Sequence, residues 1–297
     1  MASLKAFLLF SQNIPSQNLG FIDSKATALE LTINGQDLTI TQSPGVLSSN
    51  RAGGTTGAVV WKVTPPFASW LASPETNIFF KSGVLSPTST VLELGCGVSA
   101  LVGLAVGPLV SRYVLTDQPY VARFVQQNIQ QNQHPPRSSA RPSSNRRKGK
   151  DKDNHGSGSG SNGRHHSQTP PVTGNIIFSP LDWELDTPTP ALAGPDAGAG
   201  SFDFLVACDC IYNEALVPHL TQTCADLCRL RSSDARSEGR PCVCVVAQQL
   251  RDPEVFEAWL TDFCAKGFRV WRVPDRELPE ALRSSSGFVV HVGILQG

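Results

Sequence analysis

The chain reads as an α/β fold built on a doubly wound, mostly parallel seven-stranded sheet, with an antiparallel C-terminal strand pair and an N-terminal β-hairpin extension. Three observations predict it. From about residue 56 onward, short Val/Leu/Ile/Cys-rich runs alternate with segments of helical period, the signature of β-α-β units. The run Val91-Leu92-Glu93-Leu94 breaks into Gly95-Cys96-Gly97 where a helical pattern begins, so a buried strand ends in a turn whose glycines let backbone approach a ligand without a Cβ in the way. A second short strand, Tyr113-Val114-Leu115-Thr116, ends in Asp117, about 20 residues past that turn, where an acid in a βαβ unit would meet a ribose hydroxyl pair.

The elements follow in order. Leu29 to Ile33 and Leu38 to Thr41 alternate around Asn34-Gly35, a hairpin signal, and residues 1–55 are read as an extension carrying it. Residues 56–297 are read as one domain. Gly57 through Leu71 is expected to be an amphipathic helix on the sheet, interrupted or kinked at Pro65-Pro66. Tyr120 to Asn132 has helical spacing at Val121, Phe124, Val125 and Ile129. Residues 134–172 then interrupt the domain: an Arg/Ser/Pro stretch and a Gly/Ser tract with almost nothing apolar to offset the entropy of ordering, expected to be disordered. Strands resume at Asn175 to Phe178, Phe202 to Cys208 and Cys242 to Ala247, with helical segments at Ala215 to Leu230 and Pro253 to Lys266. Two last strands, Phe268 to Val273 and Gly287 to Leu295, are joined by a short polar stretch, which predicts an antiparallel pair at one edge.

Charge and cysteine use bound the function. Lysine plus arginine equals aspartate plus glutamate at 25 each, yet the 134–172 insertion carries eight basic residues against two acidic ones, leaving an acidic remainder suited to a basic partner. The run Arg146-Arg147-Lys148-Gly149-Lys150 reads as part of a solvated insertion in preference to an RNA contact or a nuclear-import signal. Most of the eight cysteines sit in or beside apolar strands, where a free thiol packs as a small hydrophobe. No Cys-x-x-Cys pair accompanies Cys208/Cys210 or Cys242/Cys244, so no metal site is expected. With no secretory leader pattern, no run of about 18 apolar residues and no Asn-x-Ser/Thr acceptor, the expected location is the cytoplasm, with the nucleus as the alternative, and no membrane partner.

Ligands of open parallel sheets bind beyond the carboxyl ends of the strands, so the residues closing each strand are the candidates. Gly95 and Gly97 close the first, Asp117 the second, Leu181-Asp182-Trp183 follow the third and Cys208-Asp209-Cys210-Ile211-Tyr212 the fourth. Asp182 could accept an adenine amino hydrogen while Trp183 covers the ring. The spacing Gly95-x-Gly97-x-x-Ala100 also fits a variant of the dinucleotide fingerprint, so an NAD(P)-dependent oxidoreductase stays open on the glycines alone. Such an enzyme should carry a Tyr-x-x-x-Lys pair or a His/Asp relay after the fourth strand; the chain has neither.

Taken together these residues resemble the seven-β-strand, S-adenosylmethionine-dependent methyltransferases, and within them the protein-lysine branch with an Asp-x-x-Tyr motif, matched here by Asp209-Cys210-Ile211-Tyr212. The similarity covers roughly residues 28–297 without the insertion. The stretches Cys208 to Leu216 and Phe268 to Pro274 are similar to the fungal ribosomal lysine N-methyltransferase 5 type, which modifies a large-subunit ribosomal protein. Ser99 departs from the pattern, standing where many methyltransferases have a third glycine, and the insertion follows no family pattern. The resemblance implies that Trp61, Gly95, Cys96, Gly97, Asp117, Trp183 and Cys208 contact S-adenosylmethionine, that Glu93 and Asp182 support it, and that Asp209 and Tyr212 line the lysine entrance as catalytic residues. It implies a protein substrate, with a methyltransferase for another protein or a small molecule as the alternative. Asp209 is expected to orient the amine or accept its proton; its purely structural role would be to cap the helix beginning near Ala215.

Overall fold

The computed structural model of the chain describes residues 2–15, 20–51, 54–132, 173–194 and 200–296. The expected 134–172 insertion lies outside the described residues. A short N-terminal helix, α1 (Ala2–Phe10), which the sequence reading did not anticipate, buries Ala6 and Leu9. The hairpin forms as expected from β1 (Ala28–Ile33) and β2 (Gln36–Thr41), paired antiparallel as a separate two-stranded sheet. Asn34 at φ 49° and Gly35 at φ 81° supply the two left-handed residues that a tight turn between right-twisted strands requires. Ile33, Leu38 and Ile40 join the main apolar cluster, so the hairpin is part of the folded body.

A single turn, α2 (Pro44–Leu47), precedes the largest local departure from expectation. Residues 57–61 are not helical beyond a 3-10 turn at Thr56–Ala58; Trp61 makes an isolated antiparallel bridge with Phe21, and the helix α3 (Thr64–Leu71) begins only afterwards. Pro65 and Pro66 thus start a helix instead of kinking one. In a first turn their missing amide hydrogens have no intrahelical partner to lose, and their fixed φ suits helix entry. A further turn, α4 (Ile78–Lys81), is capped by Asn77, whose side chain accepts from the Phe79 amide.

The large sheet then assembles from β3 (Thr90–Leu94), β4 (Arg112–Asp117), β5 (Ile176–Pro180), β6 (Phe204–Cys208), β7 (Val243–Gln249), β8 (Phe268–Arg272) and β9 (Phe288–Leu295) in the order β5-β4-β3-β6-β7-β9-β8. Helices α5 (Leu101–Val106), α6 (Ala122–Asn132), α7 (Val217–Ser232) and α8 (Pro253–Ala265) provide the layers. α3, α5, α6 and the hairpin contribute to the apolar cluster on one face, and α1, α7 and α8 to that on the other. The continuous Val/Leu strands are buried because helices cover both faces. β9 is the reversed strand, and it lies inside the sheet between β7 and β8, antiparallel to both. The expected antiparallel pair closes one edge of the sheet: β8 forms the edge itself, and β9 joins it to the rest by pairing along seven positions with β7, burying Val289 and Val290. The chain leaves β3 outward to β4 and β5, then crosses back to β6 on the other side of β3. That places the switch point between β3 and β6.

Candidate active site

Two adjoining hollows of about 540 and 470 Å³ open at this switch point and share Thr56, Gly57, Trp183 and Tyr212, forming one cleft. The first is walled by Trp61, Glu93, Gly95, Cys96, Gly97, Cys208, Asp209 and Tyr212. Asp117, Asp182 and Trp183 line the second, with Tyr120 and Leu181. All eleven residues singled out from the sequence come together here.

The glycine turn is conformationally demanding. Gly95 and Gly97 have φ values of 65° and 59°, in the left-handed region that side chains disfavour. A Cβ on Gly97 would lie 2.8 Å from the Gly57 carbonyl oxygen, and one on Gly95 would lie 2.8 Å from the Cys210 sulfur and 3.1 Å from the Trp183 ring. The 57–61 segment, freed from helix, crosses the turn and holds it: the Val98 amide donates to the Gly57 carbonyl at 2.7 Å. Ser99, the departure from a third glycine, uses its hydroxyl to accept from the Leu101 amide at the start of α5.

Two carboxyls at strand ends are shifted by burial. Asp117 accepts from the Gly97 amide at 2.8 Å and from the Gln118 amide at 2.7 Å, yet desolvation dominates and pushes its pKa up to about 6. Glu93 is 2% exposed; burial raises it to about 8 despite the Tyr113 hydroxyl donating to Oε2 at 2.9 Å. Near neutral pH Glu93 is therefore largely a neutral acid. Burial also pushes the thiols of Cys96, Cys208 and Cys210 up, so they act as packing groups and not as thiolate nucleophiles. Asp182 accepts from the Glu184 amide at 3.0 Å, shaping the loop that carries Trp183. The indole Nε1 of Trp183 is buried in the cleft wall without a hydrogen-bond partner, a donor waiting for an acceptor.

The other end of the cleft is aromatic and charged. Tyr212 accepts from the Thr56 hydroxyl at 3.1 Å and lies nearly parallel to Trp61, with ring centroids 6.5 Å apart and planes at 23°. Asp209 has φ 61°, a strained value for a residue with a side chain, held by its amide donating to the Ala247 carbonyl at 2.7 Å. It does not cap the following helix; Asn213 does, accepting from the Ala215 amide. Both Asp209 oxygens instead accept from Arg251, Oδ1 from Nη1 at 2.7 Å and Oδ2 from Nη2 at 2.5 Å, and the guanidinium lies 4.7 Å over the Trp61 ring. Sequence reasoning missed Arg251 and Thr56. The strand-end rule that found the others would have found Arg251, which lies two residues beyond the end of β7.

Comparison with known proteins follows the same lines. Residues 41–145 match the lysine methyltransferase family model. Ribosomal lysine N-methyltransferase 5 of Zygosaccharomyces rouxii is 31% identical over 75% of this chain and 69% of its own length. A diaminohydroxyphosphoribosylamino-pyrimidine deaminase of Schizosaccharomyces pombe is 29% identical over 83% of this chain, but the match spans only 45% of that protein. Among other ribosomal lysine N-methyltransferase 5 relatives, the matched share is 48% of the Lachancea thermotolerans protein and 91% of the Kluyveromyces lactis protein. The chain contains neither His-x-Glu nor Cys-x-x-Cys, the ligand signature of zinc deaminases, and no group of three or more His, Cys, Asp or Glu among the described residues could hold a metal. A solved putative transferase of Pyrococcus horikoshii aligns over 91% of this chain and 73% of its own at 10% identity and a TM-score of 0.43.

Proposed function

Because the chain belongs to the lysine methyltransferase family, we propose that it is an S-adenosylmethionine-dependent protein-lysine N-methyltransferase whose substrate is a large-subunit ribosomal protein, acting in the cytoplasm. The observation that carries the reading is the two-part cleft at the switch point, with a carboxyl and an orphaned indole donor at one end and an aromatic, charged mouth at the other. The ribosomal substrate is supported by the relatives in Zygosaccharomyces rouxii and Kluyveromyces lactis, both ribosomal lysine N-methyltransferases. No helix among the described residues is long and apolar enough to cross a membrane.

The residues present fit the cofactor. Gly95 and Gly97 clear the space a Cβ would fill, Asp117 retains lone pairs for ribose hydroxyls beside the two amides it already accepts from, and Trp183 offers a ring face and an unpaired N–H to an adenine. Bound S-adenosylmethionine supplies a methyl group on a positively charged sulfur, which an amine displaces in line. The protein's part is to position and desolvate. Trp61 and Tyr212 form the walls against which an alkyl chain packs, and the Thr56 hydroxyl fixes the Tyr212 phenol. Buried Glu93 sits under the first hollow as a neutral acid at pH 7, so the hollow carries less negative charge than its sequence suggests. The lysine must arrive or become neutral, because only the free amine has the lone pair to donate.

The test is to incubate the full chain with methyl-labelled S-adenosylmethionine and purified large ribosomal subunits from a source lacking the modification, then locate the methyl by mass spectrometry. Label on the ε-nitrogen of a lysine in one ribosomal protein is the expected result. Label confined to arginine, a carboxylate or a small molecule overturns the lysine reading, and label on a non-ribosomal lysine overturns only the substrate.

A further inference from the structure

An ammonium group entering an aromatic and acidic pocket is normally held by a carboxylate and by a ring face. At the mouth of this cleft both are already taken. The Asp209 side chain is 2% exposed and gives both oxygens to Arg251, with a further bond to Oδ1 from the Gln249 amide at 3.2 Å. The Trp61 ring has the Arg251 guanidinium over it at 4.7 Å and is flanked by Phe21 at 4.5 Å and Tyr212 at 6.5 Å. A strap fixes this arrangement from outside. Lys62 donates its amide to the Gly20 carbonyl at 2.8 Å and Ile22 its amide to the Val60 carbonyl at 3.1 Å. Gly20 lies so close that a Cβ there would sit 2.6 Å from Arg251 Nη2 and would collide with Gln249 Oε1. The guanidinium is thus roofed by the strap as well as paired.

We infer that Arg251 is a positioning residue that takes the place a substrate ammonium would seek and leaves the entrance without a free carboxylate, so that a substrate lysine is held there as the neutral amine. This rests on the lysine methyltransferase reading. With both Asp209 oxygens engaged by the guanidinium, an arriving ammonium finds no free carboxylate to pair with. Desolvation then lowers the amine's pKa with no anion to oppose it. Without Arg251, Asp209 would be a lone carboxylate at the mouth and would pair with the ammonium, holding the substrate tightly in its unreactive form. Other titratable groups face the same cleft: Glu93 from β3, Cys96 from the glycine turn, Asp117 from β4, Asp182 and Glu184 from their loop, Tyr120, and Cys208, Cys210 and Tyr212 around Asp209. All of these are common to the variants compared below, so a difference between profiles does not arise from them.

The experiment is the pH dependence of kcat and KM for lysine methylation by the full chain, wild type against Arg251→Lys, Arg251→Met and the double variant Arg251→Met/Asp209→Asn, each checked by its melting curve. Arg251→Met is expected to move the acidic limb of kcat up by about one pH unit, about a tenfold loss of kcat at pH 7, with KM unchanged or lower. Arg251→Lys should keep the wild-type midpoint, and the double variant, which removes both charges, should return toward it. Arg251→Gln, which keeps hydrogen bonds to Asp209, substitutes if Arg251→Met does not fold. An unchanged midpoint in the neutral variant, or a shift that persists in the double variant, overturns the inference. Absence of lysine methylation by folded wild-type protein overturns the functional reading instead.

Discussion

The amide of Gly97 donates to the Asp117 carboxylate at 2.8 Å, tying the glycine turn after β3 to the end of β4 across 20 residues of sequence. One carboxyl therefore serves two purposes: it stiffens the turn, and it presents its remaining lone pairs to the cleft. Asp117→Ala should weaken S-adenosylmethionine binding by about tenfold to a hundredfold, the loss of charged hydrogen bonds of about 1.5–3 kcal/mol. Because burial lifts Asp117 to about 6, wild-type affinity should also fall as pH drops through that value. Calorimetry at pH 5 and pH 7.5 checks both, and equal affinity of a folded Asp117→Ala variant would remove Asp117 from the site.

Glu93 predicts the pH dependence of stability. Its folded pKa, about 8, lies above its ordinary value of 4.5, so the folded state holds the proton more tightly. The resulting stabilisation is fully present below about pH 4.5 and is lost as pH rises through about 8. The melting temperature of the free protein should fall over that window, and Glu93→Gln, which cannot ionise, should flatten the fall. A Glu93→Gln curve parallel to wild type would show that Glu93 does not titrate there.

Gly97→Ala should be more damaging than its size suggests. The new Cβ would meet the Gly57 carbonyl oxygen at 2.8 Å, a backbone atom held by its bond to Val98, and the residue would sit at φ 59°. A cost of about 1–3 kcal/mol is expected from the strained backbone alone, together with loss of cofactor binding. Thermal melts and calorimetry read the two effects separately.

Trp183 separates stacking from hydrogen bonding. Trp183→Ala should cost about 1–3 kcal/mol of cofactor binding through lost ring contact. Trp183→Phe keeps a ring but removes the N–H that has no partner within the protein, and should cost less than the alanine change. Binding equal to wild type in both variants would place the adenine elsewhere.

Much of this was legible in the sequence, for local reasons. Strand, turn and helix announce themselves through hydrophobic period, and glycines appear where backbone must pass close to another group; the same logic located Asp117, Asp182, Trp183 and the Asp209-Cys210-Ile211-Tyr212 motif at strand ends. What the sequence did not reveal depends on neighbours far along the chain. The prolines at 65 and 66 looked like a break because nothing local shows that the helix begins at Thr64 and that Gly57 must lie across the glycine turn. β9 resembles an ordinary edge strand until its seven-position pairing with β7 places it inside the sheet. Above all, the pairing of Asp209 with Arg251 spans 42 residues. A buried carboxylate requires a partner, and its identity follows from strand order: β6 lies beside β7, so the residues that follow each strand emerge together at the same edge of the sheet. The sequence supplied both charges, and only the tertiary structure decided that they meet over Trp61 at the mouth of the cleft.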